Sequence, residues 1–382
     1  MTIKQIIWGV VVFVLTLEVP VMAQMQEFSK KKLNLTGDFR YRFEQDWNSR
    51  FDDGTYRIDR FRMRFRLRFA FTYQVHKYVH FGGGVRTGVA TNMQSPHINV
   101  GYNGFTSAPF NIDKAYIKGS YKWLWGWLGK NSFPFWKQNE LFWDDDVNPE
   151  GVTIGGKFSK GNLKLNPTIG YYVTNHDQLV EYVDGTMIMA QIAGTHKIND
   201  KLTMDIAVAY NQMDNIFDIP EHLGGTKRIN YKFIIVGARA KISQKRPLEL
   251  GLDYFGNMED YTNNPNIENH YKDQKNGFVG HIQVGNSTDK GDWLFGYYFA
   301  YKQKYSVVDY YGEDDWVRWG NVDRNRNTNY SGHEFRLAYT IAPGFIAMLR
   351  AYTVEAIVKR LENNAITTET GSRIRLDIDI EF

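Results

Sequence analysis

A membrane-spanning antiparallel β-barrel is the fold class that this 382-residue sequence predicts, and three observations support it. Arginine and apolar residues alternate over 60–69, charged and apolar residues alternate over 373–382, and the alternating segments are joined by connectors that switch between short and long. Successive side chains of a β-strand point to opposite faces, so each such segment has one apolar and one polar face. A wall between lipid and a water-filled lumen needs both faces at once.

The composition excludes several protein classes. Mean hydropathy is −0.46, and no stretch beyond the N-terminus is long and apolar enough for a transmembrane helix. The lack of cysteine excludes a disulfide framework, thiol chemistry and a cysteine-ligated metal. A net charge of +4 is too balanced to indicate binding to nucleic acid. We therefore expect no nucleic-acid partner and no cofactor.

Residues 1–23 have the pattern of a secretory signal peptide. Lys4 supplies the positive charge, 6–17 is an apolar run, and small residues ending at Ala23 form a cleavage site. The run is shorter than the roughly 20 residues that span a bilayer, so an uncleaved anchor is the less favoured alternative. We expect residues 24–382 to form one exported barrel domain.

Sixteen segments have the alternation and length of barrel strands. They are predicted at 33–44, 56–72, 77–88, 112–122, 124–131, 151–159, 162–174, 186–198, 201–212, 231–243, 247–257, 277–287, 291–306, 330–341, 343–358 and 371–382. Tight connectors such as Lys160-Gly161 alternate with long polar loops such as 132–150. Short periplasmic turns and long extracellular loops are typical of outer-membrane barrels. The prediction is an up-and-down barrel of about 16 strands, with about 14 to 18 left open.

The arginines of the second predicted strand identify the face that borders the lumen. An arginine that faces lipid at the bilayer midplane costs about 2–4 kcal/mol, so a row of five cannot face lipid. Guanidinium stays charged at any working pH, and a cationic wall in a narrow aqueous space favours anions. The predicted pore-lining and selectivity residues are Arg40, Arg42, Arg60, Arg62, Arg64, Arg66, Arg68, Arg86, Arg373 and Arg375. The alternative is that these arginines only pair with neighbouring acids and brace the wall.

Barrel closure makes the last, first and second predicted strands neighbours. The direction of each strand then predicts how far each of its lumen-facing charges lies from the periplasmic end. Acids expected near the periplasmic end, within reach of Arg66 and Arg68, are Asp38, Asp377, Asp379 and Glu381. Arginines expected to gather higher, with fewer acids beside them, are Arg40, Arg42, Arg62, Arg64, Arg373 and Arg375.

The segment 143–151, Trp-Asp-Asp-Asp-Val-Asn-Pro-Glu-Gly, is the candidate constriction loop. The predicted constriction-loop acids are Asp144, Asp145, Asp146 and Glu150. Folded inward, they would face the arginines across an eyelet and set up a transverse field. A calcium site is a weaker alternative, because the turn glycine of an EF-hand loop is absent and Pro149 stands there. We therefore expect no metal, and a solvated loop tip is the third interpretation.

Four motifs resemble one known family. They are 37–44 (Gly-Asp-Phe-Arg-Tyr-Arg-Phe-Glu), 59–62 (Asp-Arg-Phe-Arg), 113–117 (Asp-Lys-Ala-Tyr-Ile) and the acidic segment 143–151. Over 33–160 the chain resembles the putative porins of Gram-negative bacteria, and it is more distantly similar to the alginate-export barrels. The resemblance implies an outer-membrane channel of about sixteen to eighteen strands. Residues 128–135 depart from the family's expected Gly-Gly-Lys strand and following turn, which weakens the prediction of a strand at 124–131.

The C-terminus resembles the terminal signal of bacterial outer-membrane proteins. Apolar residues at every second position from 374 lead to a final Phe382. The resemblance implies that the barrel assembly machinery reads this unpaired last strand, with Phe382 as the assembly signal. Expected partners are this machinery, outer-membrane lipid and small hydrophilic or anionic solutes. A homotrimer is left open, because an oligomer interface on the lipid face looks like lipid contact.

Three functions remain open, and we favour the first. It is a passive porin with an arginine-lined lumen and a preference for anions or acidic solutes. The alternative is an exporter of an anionic polysaccharide, and the third is a barrel enzyme or adhesin with a closed lumen. No Gly-x-Ser-x-Gly, His-Glu-x-x-His or phosphate-binding loop occurs, so we expect no enzyme. Trp316 and Trp319, beside acids at 313–315, leave open a sugar-stacking rim.

Overall fold

The computed structural model describes residues 32–51, 53–101, 104–175, 184–219, 225–317, 327–358 and 368–382. The expected signal peptide, residues 1–23, and Trp319 lie outside the described residues. The described residues form a closed antiparallel β-barrel, in which the first strand pairs with both the second and the last. The predicted fold class is therefore confirmed. Within these ranges, no helix has the length and apolar character needed to cross a membrane.

In the described ranges, eighteen strands, numbered in chain order, are hydrogen-bonded into the barrel. Their bounds are β1 Leu33–Arg50, β2 Arg60–His76, β3 Val79–Thr87, β4 Ile98–Asn99, β5 Phe110–Tyr121, β6 Leu124–Lys130, β7 Glu150–Gly156, β8 Phe158–Lys160, β9 Leu163–Asn175, β10 Gly185–Lys197, β11 Leu202–Phe217, β12 Arg228–Ile242, β13 Leu248–Asn257, β14 Asn276–Gly285, β15 Trp293–Lys302, β16 Tyr330–Ala342, β17 Phe345–Ala356 and β18 Thr370–Glu381. β7 and β8 flank Lys157 and both pair with β9, so they are two parts of one wall strand.

The wall has sixteen strands. β7 and β8 count as one wall strand, and β4 is not counted, because it is a two-residue strand that pairs with β2 beyond the end of β3. Each of the sixteen predicted segments coincides with one wall strand, including the less certain segment at 124–131, which is β6. β4 was not predicted, because two residues are too few to carry a periodic signal.

The connectors between wall strands alternate between short turns and long loops. The long loops, L1 to L8 in chain order, are 51–59, 88–109, 131–149, 176–184, 218–227, 258–275, 303–329 and 357–369. The tightest turns use left-handed backbone at Lys122 (φ 53°), Gly161 (φ 55°) and Gly344 (φ 73°). Because the short turns of such barrels face the periplasm, β1 runs from the periplasmic side outward.

The outer face of β2 is apolar, as the alternation predicts. Phe61, Met63 and Phe69 occupy odd positions of this strand and are 60%, 39% and 42% exposed. The even positions carry the arginines, and Arg68 contacts Asp146 of L3 at 2.7 Å. The apolar row therefore faces lipid and the arginine row faces the interior of the barrel.

Loop L3, which connects β6 and β7, folds into the lumen and contacts β10 and β13. The backbone N–H of Trp136 donates to the side-chain oxygen of Gln191 on β10 at 2.7 Å, and the Trp136 carbonyl accepts from the same side chain at 2.9 Å. Farther along L3, Gln138 donates to Asp253 of β13 at 2.6 Å, and Asn139 donates to the same carboxylate. These bonds fix L3 inside the barrel.

The first part of L7 also folds inward and packs on L3. The Asp144 N–H donates to the Tyr311 carbonyl at 2.7 Å, and the Glu313 N–H donates to the Glu140 carbonyl at 2.9 Å. The two loops therefore share backbone hydrogen bonds in the lumen and act as one internal structure.

Trp316 of L7 is part of an apolar cluster inside the barrel. Its side chain is 1% exposed, and its ring lies 5.6 Å from that of Tyr330 and 5.7 Å from that of Tyr352, measured between centroids. The hypothesis of a sugar-stacking rim at Trp316 is therefore wrong, because the inward course of L7 buries this residue.

Candidate functional site

Charged residues of β18, β1 and β2 stand in matched rows inside the barrel. The opposed residues across β1 and β18 are Arg40 and Asp379, Arg42 and Asp377, Glu44 and Arg375, and Asp46 and Arg373. Those across β1 and β2 are Asp38 and Arg68, Arg40 and Arg66, Arg42 and Arg64, Glu44 and Arg62, and Asp46 and Arg60. Arg86 lies opposite Arg68 on β3. The fold thus brings all ten predicted pore-lining arginines onto four neighbouring strands.

Every one of these arginines has a carboxylate partner. The shortest N–O distances are 2.5 Å for Arg40–Asp379, 2.6 Å for Arg42–Asp377, 2.6 Å for Arg60–Asp46, 3.8 Å for Arg64–Glu44, 2.7 Å for Arg66–Asp38, 2.6 Å for Arg68–Asp38, 3.2 Å for Arg86–Asp113 and 2.6 Å for Arg373–Asp46. Arg62 pairs with Glu44, and Arg375 pairs with Asp315. The arginine row is therefore largely neutralised by acids.

The predicted distribution of acids by height is only partly correct. Asp38 pairs with Arg66 and Arg68 as expected. The expectation that the higher arginines have few acids beside them is wrong, because Glu44 and Asp46 stand in the same cross-strand rows. A sorting of charges by strand end alone does not detect these rows.

Asp315 of L7 covers the arginines nearest the seam between β1 and β18. Its carboxylate lies 3.6 Å from the guanidinium of Arg42 and 3.4 Å from that of Arg373, and it also contacts Arg375. Burial alone would raise the pKa of Asp315, but Arg375, Arg42 and their neighbours hold it well below its usual range. The three arginines are 2%, 0% and 1% exposed, so they are not free to meet a solute in this conformation.

A second buried ionic cluster, on β16 and β17, was not predicted from the sequence. Arg350 pairs with Glu313 of L7 at 2.8 Å and also with Glu334, and Arg336 pairs with Glu334 at 2.7 Å. The Arg336 guanidinium lies 4.0 Å from the centre of the Tyr298 ring. The available signal was that Arg336 and Arg350 occupy inward positions of two strands that were themselves predicted.

The predicted constriction-loop acids do not form one row facing the arginines across a gap. Asp146 contacts Arg68 directly at 2.7 Å, and Asp145 pairs with Lys137 of the same loop at 2.6 Å. Asp144 is 3% exposed, and burial together with nearby Glu140 raises its pKa well above the usual range. Of the four predicted acids, all of which lie in described residues, Asp146 is the one that contacts the arginine row.

The side chains of segment 143–151 that could have bound calcium through oxygen do not converge on one point either. Glu150 is exposed at the start of β7 and pairs with Lys130 at 2.5 Å, whereas Asn148 donates to Asp113 at 2.9 Å. Among the described residues, no group of three or more His, Cys, Asp or Glu side chains is placed to hold a metal ion.

Two cavities adjoin where L3 meets β2, β3 and β5. One, of 660 Å³, is lined by Arg68, Asp113 and Lys114, among others, and the second, of 380 Å³, by Arg86, Asp113 and Asp146. Since Asp113 lines both, the cavities meet at the ion pairs that Arg68 and Arg86 form with Asp146 and Asp113. This contact is the candidate constriction.

Phe382 completes the closing seam at its periplasmic end. Its N–H and carbonyl are hydrogen-bonded to Gly37 of β1 at 3.0 and 2.8 Å. Its ring is 61% exposed and packs edge-on against Phe69 with 5.7 Å between centroids. The last side chain therefore lies on the lipid side of the wall.

Glu313 of L7 makes the stability of the protein depend on pH. Burial, together with Glu334, Asp315 and Glu140, raises the pKa of Glu313 to about 7, despite its contact with Arg350. A raised pKa means that its contribution to stability is present below the unfolded-state value near 4.5 and is lost as the pH rises through about 7. We expect the thermal midpoint in detergent to fall by a few degrees between pH 5 and pH 8.

The matched measurement uses Glu313→Gln, which cannot titrate. Its thermal midpoint should change less between the two pH values than that of the wild-type protein. Asp200→Asn, in the turn between β10 and β11, is the exposed control and should retain the wild-type dependence. An equal pH dependence in Glu313→Gln would contradict the assignment.

The comparisons with known proteins agree with this architecture. A family model described as "Putative porin" matches residues 48–245, just over half of the chain. The structure is similar to OprB of Pseudomonas putida (TM-score 0.57, 11% identity, 92% of this chain and 94% of that chain). It is also similar to Salmonella typhi OmpF in complex with daunomycin (TM-score 0.52, 12% identity, 92% of this chain and 97% of that chain). A third similar structure is the trimer form of Vibrio cholerae OmpT (TM-score 0.51, 8% identity, 92% of this chain and 99% of that chain).

At these identities the similarity to solved structures shows the fold alone, whereas the family match extends to membership. No curated protein sequence matches the chain. The family and the closed sixteen-stranded wall together place the protein in the outer membrane as a channel-type barrel. The chain therefore belongs to the putative porin family of outer-membrane proteins.

Proposed function

We propose that the protein is a passive channel for small hydrophilic solutes, with a preference for anions and acidic solutes, and that it is not an enzyme. Membership of the porin family supports the channel. The charge preference is proposed from Arg68, Arg86 and Lys114, which line the two adjoining cavities together with acids such as Asp113 and Asp146. A solute that crosses beside L3 passes these side chains at close range, where a confined field is strongest.

The test is single-channel recording of the purified protein in a planar bilayer under a salt gradient. We expect discrete conductance steps and a reversal potential of the sign that marks anion flow. A bilayer that receives detergent alone is the control. A complete lack of conductance would contradict the channel, and a cation-selective reversal potential would contradict the charge preference.

Export of an anionic polysaccharide is less well supported. A polyanion that moves along the lumen needs a continuous row of accessible cations. Arg42, Arg373 and Arg375 are instead covered by L7 and bound to Asp315. If a short uronate oligomer at low concentration blocked the current while chloride still flowed, this second function would regain support.

Export, assembly and oligomeric state are part of the same proposal. Residues 1–23 would be removed as a signal peptide, leaving 24–382 as one barrel domain, and the barrel assembly machinery would read the strand that ends at Phe382. The OmpT structure is of a trimer form, which supports a homotrimer for this fold. The mass of the purified particle in detergent, with the detergent contribution removed, tests the trimer directly.

A further inference from the structure

Four lysines on the inner wall differ from the arginines in lacking acidic partners. They are Lys114 and Lys118 on β5, Lys157 between β7 and β8, and Lys164 on β9. None of the four forms an ion pair with a carboxylate in the part of the chain that the structure describes. Lys118, Lys157 and Lys164 are exposed, and Lys114 is half-buried. Their charge is therefore not neutralised.

The register places Lys114, Lys118 and Lys164 on the lumen side. Lys114 lies opposite Gly84, which shares a strand face with the inward Arg86, and Lys118, four residues farther along β5, lies on the same face. Lys164 lies opposite Thr195, whose hydroxyl donates to Asp205 at 2.6 Å. Because Asp205 in turn pairs with the β12 residue Arg239 at 2.8 Å, this row belongs to the interior network.

Lys157 is also on the lumen side. A Cβ on Gly156 would lie 2.7 Å from the ring of Phe158, so these two residues share one face. Phe158 is 44% exposed and stacks on Trp123 at 5.1 Å between centroids, on the lipid side. Lys157, between Gly156 and Phe158, points the opposite way.

An aromatic ring holds one of these lysines against the wall. The Lys118 ammonium lies 5.5 Å from the centre of the Trp125 ring, and that ring covers Gly155, where a Cβ would lie 2.3 Å away. A cation–π contact contributes about 0.5–1 kcal/mol at an exposed site and leaves the positive charge in place. The lysine is thus positioned but not neutralised.

We propose that Lys114, Lys118, Lys157 and Lys164, the lysine patch, bind small oxyanions at successive weak sites along the wall rather than in one pocket, and set the charge preference of the channel. The second part rests on the proposed channel function. The patch lies in the periplasmic half of the lumen, because Lys118, Lys157 and Lys164 adjoin the turns at 122–123 and 161–162. The arginines brace the wall, since their guanidinium groups are already bound to carboxylates.

The chemistry of lysine defines the class of ligand. An ammonium is a compact point charge without the planar fork by which guanidinium selects a carboxylate geometry. The patch should therefore select by charge rather than shape and accept carboxylates, sulfate and phosphate alike.

The test compares two variants, each with four substitutions that remove the same total charge. In the first, Lys114, Lys118, Lys157 and Lys164 are changed to glutamine. In the matched control, four lysines in or directly beside the periplasmic turns, Lys122, Lys160, Lys245 and Lys290, are changed to glutamine. In salt-gradient bilayers, the patch variant should lose about tenfold in anion-over-cation permeability, whereas the control should match the wild type. Equal selectivity in the patch variant and the wild type would overturn the assignment of selectivity to the patch.

A second measurement does not depend on conduction. Inorganic phosphate is titrated into the protein in detergent, with tryptophan fluorescence as the readout, because Trp125 contacts Lys118. Saturable binding that weakens at least tenfold in the patch variant and not in the control is expected. Wild-type protein without saturable binding would overturn the site itself. If phosphate binds but no current flows, the channel proposal fails while the binding site stands.

Discussion

Replacement of Arg373 by methionine will lower the free energy of unfolding by about 3–5 kcal/mol, the usual cost of removing one partner from a buried ionic cluster. The Arg373 side chain is 0% exposed and lies 2.6 Å from Asp46 and 2.9 Å from Glu44. Its loss leaves two carboxylates inside the barrel with one fewer counter-charge. Urea titration in lipid vesicles, followed by tryptophan fluorescence, measures the change.

Arg60→Met is the matched control, because Arg60 pairs with the same Asp46 at 2.6 Å but its side chain is 37% exposed. Exposed ion pairs contribute about 0–1 kcal/mol, so this variant should stay within about 1 kcal/mol of the wild type. Equal losses for the two variants would mean that burial does not determine the strength of the network.

Shortening of L7 by removal of residues 305–317 will raise the single-channel conductance several-fold. This segment contributes Tyr305, Tyr311 and Trp316 to the buried clusters inside the barrel, so its removal widens the lumen. It also removes Asp315, which uncovers Arg42 and Arg375 and leaves Asp377 as their carboxylate partner. The reversal potential should therefore shift further toward anion selectivity, and liposome swelling should admit larger solutes.

Shortening of L1, residues 51–59, is the control for loop deletion. Ile58 in this loop is 95% exposed, and the loop makes no backbone bond to L3 among the described residues. The conductance of the variant with the shortened L1 should stay at the wild-type level. A shortened L7 with unchanged conductance would mean that L7 does not limit the current and that the contact of L3 with Arg68 alone does so.

The wall was predictable because its signal is local. Each strand carries a two-residue alternation that is set by its own burial against lipid and water, so segments such as 60–68 can be identified without knowledge of their neighbours. The same alternation identifies which side chains face inward, and Arg336 and Arg350 could have been included on this ground.

The interior was not predictable, because its contacts are distant in sequence. Whether L7 folds inward depends on partners such as Glu140 and Arg350, and no periodic pattern marks a loop that does so. The neutralisation of the arginines was missed for a related reason. Glu44 is the last residue of the predicted first strand, and Asp46 lies beyond its predicted end, so the extra length of β1 was needed to place Asp46.

The opposed charges across β1 and β18 amount to a register code for barrel closure. In the native pairing, arginine, arginine, glutamate and aspartate at 40, 42, 44 and 46 meet aspartate, aspartate, arginine and arginine at 379, 377, 375 and 373. A slip of two residues in one direction sets Arg42 against Arg375, and in the other direction it sets Glu44 against Asp377. A slip of one residue turns every charge toward lipid. The native alignment opposes unlike charges at all four positions, whereas each two-residue slip places one pair of like charges inside the barrel, which disfavours closure in the wrong register.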